Sequence, residues 1–467
     1  MPSRPLPQPS QGAAFGSKGA AVGSKESKPS SAKIPFLLVM LALVVEFARP
    51  QDVLLGLRAI PFPSLIDALI ALAVLTSGKW NVDQLQNRCW IGLLALMAVH
   101  VPFANNNFWA AMTLKDMTLL FAMYLGVLAF VDSTARIRVL LKVWLGVHFF
   151  LAIFGAMHKG AGVGGWLGDE NDFCMEMNAA VPFAFFAFQS TTNKVEKPIY
   201  MGLLCTFILA GMVSLSRGGF IGLAVVGTYC WMRSSRKIAA VLLVGLAVVF
   251  MLLMAPQEYW EEVQSITSDQ TMETGTGGER LYSWGIGWDM FLGNPILGVG
   301  QGNYPWNVEE YEAGRTFNTR SLAGRQAHSA YFTLLPELGL VGTGIFIAFV
   351  YGVYRDLKFV RRKGQVLLKR VKDDQARQDV LFISNLARAV EGSVVGYLAS
   401  SVFISTLYYP TFWVLMAFTV AVRTIAGKVF DSLDAESQDI GPFGLRPIRP
   451  IPRRGPRATG TPGPVMP

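Results

Sequence analysis

Apolar residues run along the chain in long blocks separated by short polar connections. Blocks occur near 34–47, 64–76, 89–104, 113–131, 139–157, 173–189, 199–215, 219–232, 238–255, 329–354, 393–407 and 411–422. A helix crossing a bilayer needs about 20 apolar residues and satisfies its backbone groups internally. The pattern therefore predicts an all-α protein, a polytopic transmembrane helical bundle of about twelve spans. Several blocks are short of an ideal span, and 34–47 also contains Glu46. Bilayer thinning or re-entrant packing accommodates such lengths. No small-residue cleavage pattern closes the first block, so it reads as an uncleaved anchor.

Composition agrees: 52% of the 467 residues are hydrophobic and only 16% charged, where a soluble domain carries roughly a quarter. This excludes an ordinary water-soluble enzyme and a disordered chain. Four cysteines, Cys89, Cys174, Cys205 and Cys230, fall in or beside apolar blocks with neither metal-ligand spacing nor a disulfide framework. The formal charge of +9 resembles a nucleic-acid footprint, but its distribution assigns it elsewhere. Sorting the connections alternately puts 32 of the 41 basic residues in one set and 9 in the other. By the positive-inside rule the rich set, with both termini, is cytoplasmic. The surplus serves orientation and contact with membrane lipid, not nucleic acid. The expected organisation is a disordered cytoplasmic tail (1–33), nine spans (34–255), an extracytoplasmic loop domain (256–328), and three spans (329–431) with a basic cytoplasmic loop at 355–390. A disordered tail (432–467) follows.

The connection 256–328 is too long to be structureless in a compact protein. Within it, 279–292 predicts a helix with Leu281, Trp284, Trp288 and Phe291 at helical spacing, stopped by Asn294-Pro295. Its tryptophans suit the bilayer interface or packing on the spans, and both remain open. Gly298-Val-Gly-Gln-Gly302 follows no strand and reads as a tight turn. Arg217, in the short link Ser214-Leu-Ser216-Arg217-Gly218-Gly219, lies near the membrane boundary. There an arginine is costly unless an anion or acidic group meets it; snorkelling to lipid phosphates is the equal alternative. His328 stands where the long connection enters a span and has the chemistry of a base near neutral pH, although a lone histidine is more often structural. His100 and His148 lie inside apolar blocks as packing residues, and His158 sits beside Lys159. Asp169-Glu170-Asn171-Asp172 has the carboxylates for a divalent metal, but helix capping is the simpler reading. Glu176 and Glu337 are candidate partners for the external arginines.

Several of these segments together resemble the O-antigen ligase and polymerase superfamily. Ser214-Leu-Ser-Arg217-Gly-Gly-Phe is similar to its short Ser-Arg-Gly motif. Gly278-Glu-Arg280…Trp284…Asn294-Pro-Ile-Leu-Gly298-Val-Gly-Gln-Gly302-Asn resembles its loop segment. Ala327-His328-Ser-Ala-Tyr331…Glu337-Leu-Gly339-Leu-Val-Gly342 resembles its loop exit, with Ser329 where asparagine is frequent. Asp169-Glu-Asn171-Asp-Phe resembles a further segment. The likeness spans about 168–342; the order and common side of the motifs make the set specific.

The resemblance implies a metal-independent glycosyltransferase without a cofactor, in the bacterial inner membrane. It takes a glycan from undecaprenyl diphosphate at the periplasmic face. Ligases pass it to lipid A-core; related members polymerise repeat units or glycosylate proteins. By the same analogy Arg217 and Arg280 hold the diphosphate and His328 activates the acceptor hydroxyl, with Ser216, Asn171, Glu337 and Tyr331 supporting. The chemistry is consistent. Expulsion of a diphosphate builds negative charge that arginines stabilise, and one-step attack inverts the anomeric centre. The ligase reading leads, ahead of repeat-unit polymerase and protein O-oligosaccharyltransferase. A secondary transporter, kept open by Asp67, Glu176 and Glu391, is the alternative of another class; a non-catalytic envelope scaffold is the third.

Overall fold

The computed structural model describes residues 33–54, 56, 61–79, 83–234, 237, 245 and 276–439. Among them are fourteen helices. In chain order these are α1 (Lys33–Ala48), α2 (Pro50–Val53), α3 (Phe62–Ser77), α4 (Leu85–His100), α5 (Asn107–Phe130), α6 (Thr134–Met157) and α7 (Glu170–Ser190). They continue with α8 (Glu196–Val213), α9 (Arg217–Arg233), α10 (Thr276–Gly293), α11 (Tyr304–Glu312), α12 (Tyr331–Leu367), α13 (Asp374–Ser400) and α14 (Pro410–Asp439). No named strand occurs among the described residues.

Eleven of the twelve apolar blocks coincide with helices. The block at 238–255 apart from Gly245, the expected tail 1–32, the C-terminal stretch 440–467 and the loop stretch 256–275 lie outside the described residues. Five helices are long and apolar enough to cross a membrane, namely α5, α6, α8, α12 and the stretch Pro410–Ala435 of α14, with α3 a shorter apolar helix. The chain is thus a multi-pass membrane protein. Side-chain oxygens of Asn106, Ser133, Asp169, Ser216 and Asp373 cap the amide ends of α5, α6, α7, α9 and α13. Each cap thereby gives one of the otherwise unpaired first-turn amides a partner.

Two expectations change. The basic segment 355–390 is no loop: α12 runs through it to Leu367 and α13 begins at Asp374, leaving only 368–373 as the turn. Helix α14 likewise continues past residue 432, where a disordered tail was expected. Charged helix extensions look like loops to a hydropathy reading because that reading sees only apolar length.

Helix α7 is the centre of the bundle, buried along nearly its whole length and packed against α8, α9 and α13. Large aromatics fill the adjoining core, where Trp90 meets Trp413 at 4.3 Å. Leu65, Leu69, Leu72 and Leu75 remain exposed on one face of α3, the position of a lipid-facing stripe. A second, smaller apolar cluster lies outside the bundle core: Ile286, Met290, Tyr304, Val308, Phe317, Leu322 and Ala327, drawn from α10, α11 and the connection to α12.

The connections gather at two opposite ends. At one, ion pairs join Lys142 to Glu196 (3.0 Å), Arg138 to Asp379 (3.0 Å) and Lys363 to Asp431 (2.7 Å). At the other, the connections before α5, α7, α9, α11, α12 and α14 touch one another. There the Asn106 amide donates to Asn303 Oδ1 (2.7 Å) and the Ala330 amide to the Ser401 carbonyl (2.9 Å). These are called below the basic end and the site end.

Candidate functional site

Helix α9 begins at Arg217 itself. Ser216 is its cap: the Gly219 amide donates to Ser216 Oγ at 3.0 Å, and Ser216 Oγ donates to Asn171 Oδ1 at 2.6 Å. Asn171 in turn donates from its amide nitrogen (2.7 Å) and Nδ2 (2.6 Å) to Asp169 Oδ1. This chain couples the starts of α7 and α9. A side chain at Gly219 would strike Cys174 of α7, so glycine permits the close approach. Arg217 therefore stands at the first position of a helix, where the backbone dipole already presents positive charge. A cation there works against helix stability and in favour of an anion.

Arg280 lies on the first turns of α10, half-buried, with no carboxylate at ion-pair distance among the described residues. The carboxylate of its neighbour Glu279 is occupied by Arg320 and Arg325, each at 2.6 Å. Burial first, then the charge of Arg217, hold the Arg280 pKa below its ordinary value. Asp169 and Glu279 oppose that shift.

His328 sits in the connection into α12, between buried Ala327 and Ser329. Its flanks are fixed: Trp284 Nε1 donates to the Ala327 carbonyl at 3.0 Å, and the Ala330 amide is tied to Ser401. Its backbone is left-handed, φ 50°, an uncommon state that histidine tolerates better than most residues. The residue as a whole is exposed, while neighbouring protein partly desolvates the imidazole. That desolvation, then the Arg280 charge, lowers its pKa; Glu279 and Asp169 act against them, and Arg325 adds a smaller lowering. A neutral imidazole is the form that accepts a proton.

Arg217 is thus within electrostatic range of Arg280, and Arg280 of His328. Three motifs separated by up to 111 positions converge at one end of the bundle. Of the supporting candidates, Ser216 and Asn171 are in the capping chain. The Tyr331 hydroxyl is committed to the Leu398 carbonyl at 2.8 Å. Glu337 lies deeper, where α12 is broken at Gly339 (φ 59°, ψ −162°), a conformation open to glycine alone. Its carboxylate accepts from the Gly302 amide (2.8 Å), the Tyr304 amide (2.8 Å) and the Tyr408 hydroxyl (2.6 Å).

Both arginine-partner expectations for the glutamates are corrected. Glu337 holds the loop, while buried Glu176 meets His148 Nε2 (3.1 Å) and Thr411 within the core. The glycine-rich stretch is also more than a turn. The Val299 and Gly300 amides donate to the Pro336 (2.8 Å) and Glu337 (2.9 Å) carbonyls, and the Leu340 amide to the Pro295 carbonyl (2.9 Å). Segment 295–300 thereby supplies partners to the broken backbone of α12. Asp169 caps α7 as the simpler reading held. Trp284 turns inward, stacked on Phe332 at 5.1 Å, while Trp288 stays exposed.

Sequence reading missed the Glu279–Arg320–Arg325 cluster and the reach of Asp169 to both Arg280 and His328. The available signal was the adjacency of Glu279 to Arg280.

Residues 202–347 match a family model described as O-antigen ligase. The match includes Arg217, Arg280 and His328. No curated protein matches the chain.

Proposed function

We propose that this protein is a membrane glycosyltransferase that moves a glycan from undecaprenyl diphosphate to an acceptor hydroxyl at the periplasmic face, as an O-antigen ligase acting on lipid A-core. The observation carrying this reading is the convergence of two mutually repelling guanidiniums and a pKa-lowered imidazole at one end of a bilayer-spanning bundle. The O-antigen ligase domain over the same residues supports it.

In the reaction, the acceptor oxygen bonds to the anomeric carbon as the bond from that carbon to the diphosphate oxygen breaks. The electron pair leaves with the diphosphate. Arg217 and Arg280 receive the charge that grows on it, and the amide end of α9 adds to their field. His328 takes the hydroxyl proton and later releases it to water. Attack opposite the departing group inverts the anomeric configuration. The reaction needs an apolar helix face for the lipid tail and a hydrated space for the glycan.

The test is loss of the protein from its own cell, with glycans resolved by size and by attachment. Full-length chains held on the lipid carrier are the expected result. Single repeat units on the carrier would make the protein a polymerase, and unglycosylated protein acceptors would make it a protein glycosyltransferase. Unchanged glycans, with solute uptake into vesicles containing the purified protein, would replace the enzyme by a transporter.

A further inference from the structure

At the basic end a cavity of about 490 Å³ opens between the far parts of α12 and α14. Arg355, Lys358, Arg362, Lys363 and Arg370 supply its charge, against Asp434 alone. Two of these cations are committed. Lys363 bridges to Asp431 (2.7 Å) and Asp434 (3.1 Å), and Arg355 pairs with Asp356 (2.9 Å). Lys358, Arg362 and Arg370 pair with no carboxylate among the described residues. Phe359, Val366 and Leu367 form the remaining wall, so the cavity is apolar beneath a cationic rim.

Its position on α12 is informative. Ile347, Tyr351 and Tyr354 are exposed at helical spacing, which makes one lipid-facing stripe ending in two tyrosines. Tyrosines at the end of such a stripe mark the headgroup level. One turn further, Lys358 Nζ donates to the Tyr354 hydroxyl at 2.9 Å and lies 4.8 Å from its ring centroid. The cationic rim therefore begins where the hydrocarbon contact ends.

We infer that this cavity binds an anionic phospholipid of the adjoining leaflet. Its phosphate would meet Lys358, Arg362 and Arg370, and the glycerol and first acyl carbons the Phe359–Val366–Leu367 wall. A free phosphate would use the same cations but has no use for the apolar wall or the tyrosine collar; this decides for the lipid. Basic pockets between helices at a bilayer surface take anionic headgroups in this way. The inference rests on the membrane placement of the chain and not on the transfer reaction, so either can fail without the other.

The experiment uses the full-length protein stripped of lipid in a neutral detergent. It is then offered dioleoylphosphatidylglycerol or dioleoylphosphatidylcholine, and retained lipid is counted by native mass spectrometry. Phosphatidylglycerol should be retained at least tenfold more than phosphatidylcholine. The double variant Arg362→Gln, Arg370→Gln should bring it to the phosphatidylcholine level, while Arg138→Gln, elsewhere at the basic end, leaves it unchanged. Equal retention of the two lipids, or full retention by the double variant, overturns the proposal. So does displacement by inorganic phosphate at matched concentration, which would make this a free-anion site. Should the double variant not elute as a folded protein, the lipid comparison and the phosphate competition on the unaltered protein decide alone.

Discussion

At the basic end of the bundle several cations have a carboxylate on another element. Lys142 meets Glu196 at 3.0 Å, Arg138 meets Asp379 at 3.0 Å, and Arg361 meets Glu391 at 2.9 Å. At the site end Arg280 has no such partner among the described residues, and its strongest charged neighbour is another arginine. Glu279 could have neutralised it, but is taken by Arg320 and Arg325. The backbones differ in the same sense. All seven described non-glycine residues with positive φ fall at the site end: Arg49, Lys159, Leu215, Ala313, Asn318, Thr319 and His328. Positive φ at a non-glycine residue and a half-buried cation without a carboxylate both cost stability, and at the site end the two occur together. The basic end uses charge to hold helices together. On the proposed function, the charge at the site end is held for a substrate.

That contrast can be broken first at His328. His328→Ala should lower turnover by about 10²–10⁴-fold, the range for a general base, while lipid-diphosphate binding persists. Single-turnover assays with purified protein and donor read both quantities. Near-normal turnover with lost binding would transfer the imidazole to donor recognition. The arginines come next. Arg280→Lys keeps the charge but loses the planar fork, so turnover should fall by about 10²-fold. The same change at the basic end, Arg138→Lys, should leave turnover within about twofold, since exposed ion pairs contribute little. If the two lysine variants behave alike, the two ends do not differ in how they use charge.

A third test concerns stability within the site end. Glu337→Ala removes the acceptor of two loop amides and the Tyr408 hydroxyl. Leaving these donors unpaired in a buried position should cost about 3 kcal/mol, read as a lower midpoint in thermal unfolding. An unchanged midpoint would mean that the backbone bonds of 295–300 to α12 hold the loop without the carboxylate contacts at Gly302 and Tyr304.

Much of this organisation was legible in the chain. Apolar length located eleven helices, and the alternation of Lys and Arg anticipated which connections share an end. Arg217 and His328 stood out because a cation or imidazole at a membrane boundary needs a reason. What escaped depends on long-range partners. Glu337 has the same sequence appearance whether it pairs with an arginine or with backbone amides; only the break at Gly339 and the insertion of segment 295–300 decide. Glu279 looked like one acid among ten in its connection, and its importance lies in which arginines it occupies. The extended α12 and α14 escaped because a charged helix continuing into water has no apolar signature.

The smallest effect expected is the most specific to the site-end electrostatics. The protein environment and the Arg280 charge lower the His328 pKa, and Arg325 contributes less in the same direction. The acid limb of the kcat/KM profile reports the free enzyme's base. Removing a nearby cation relieves the penalty on the imidazolium, so the pKa rises and activity is lost at a higher pH than in the unaltered protein. Arg325→Gln should therefore move that limb upward. Asp169→Asn should move it downward, because Asp169 favours the charged imidazole. Arg325 is exposed, so its effect should shrink with added salt, whereas a limb set by burial should not. Opposite movements from the two variants, with salt dependence in the arginine case, identify His328 as the titrating group. Movement in the same direction, or none in either, would assign the acid limb to another residue and leave His328 without its role as base.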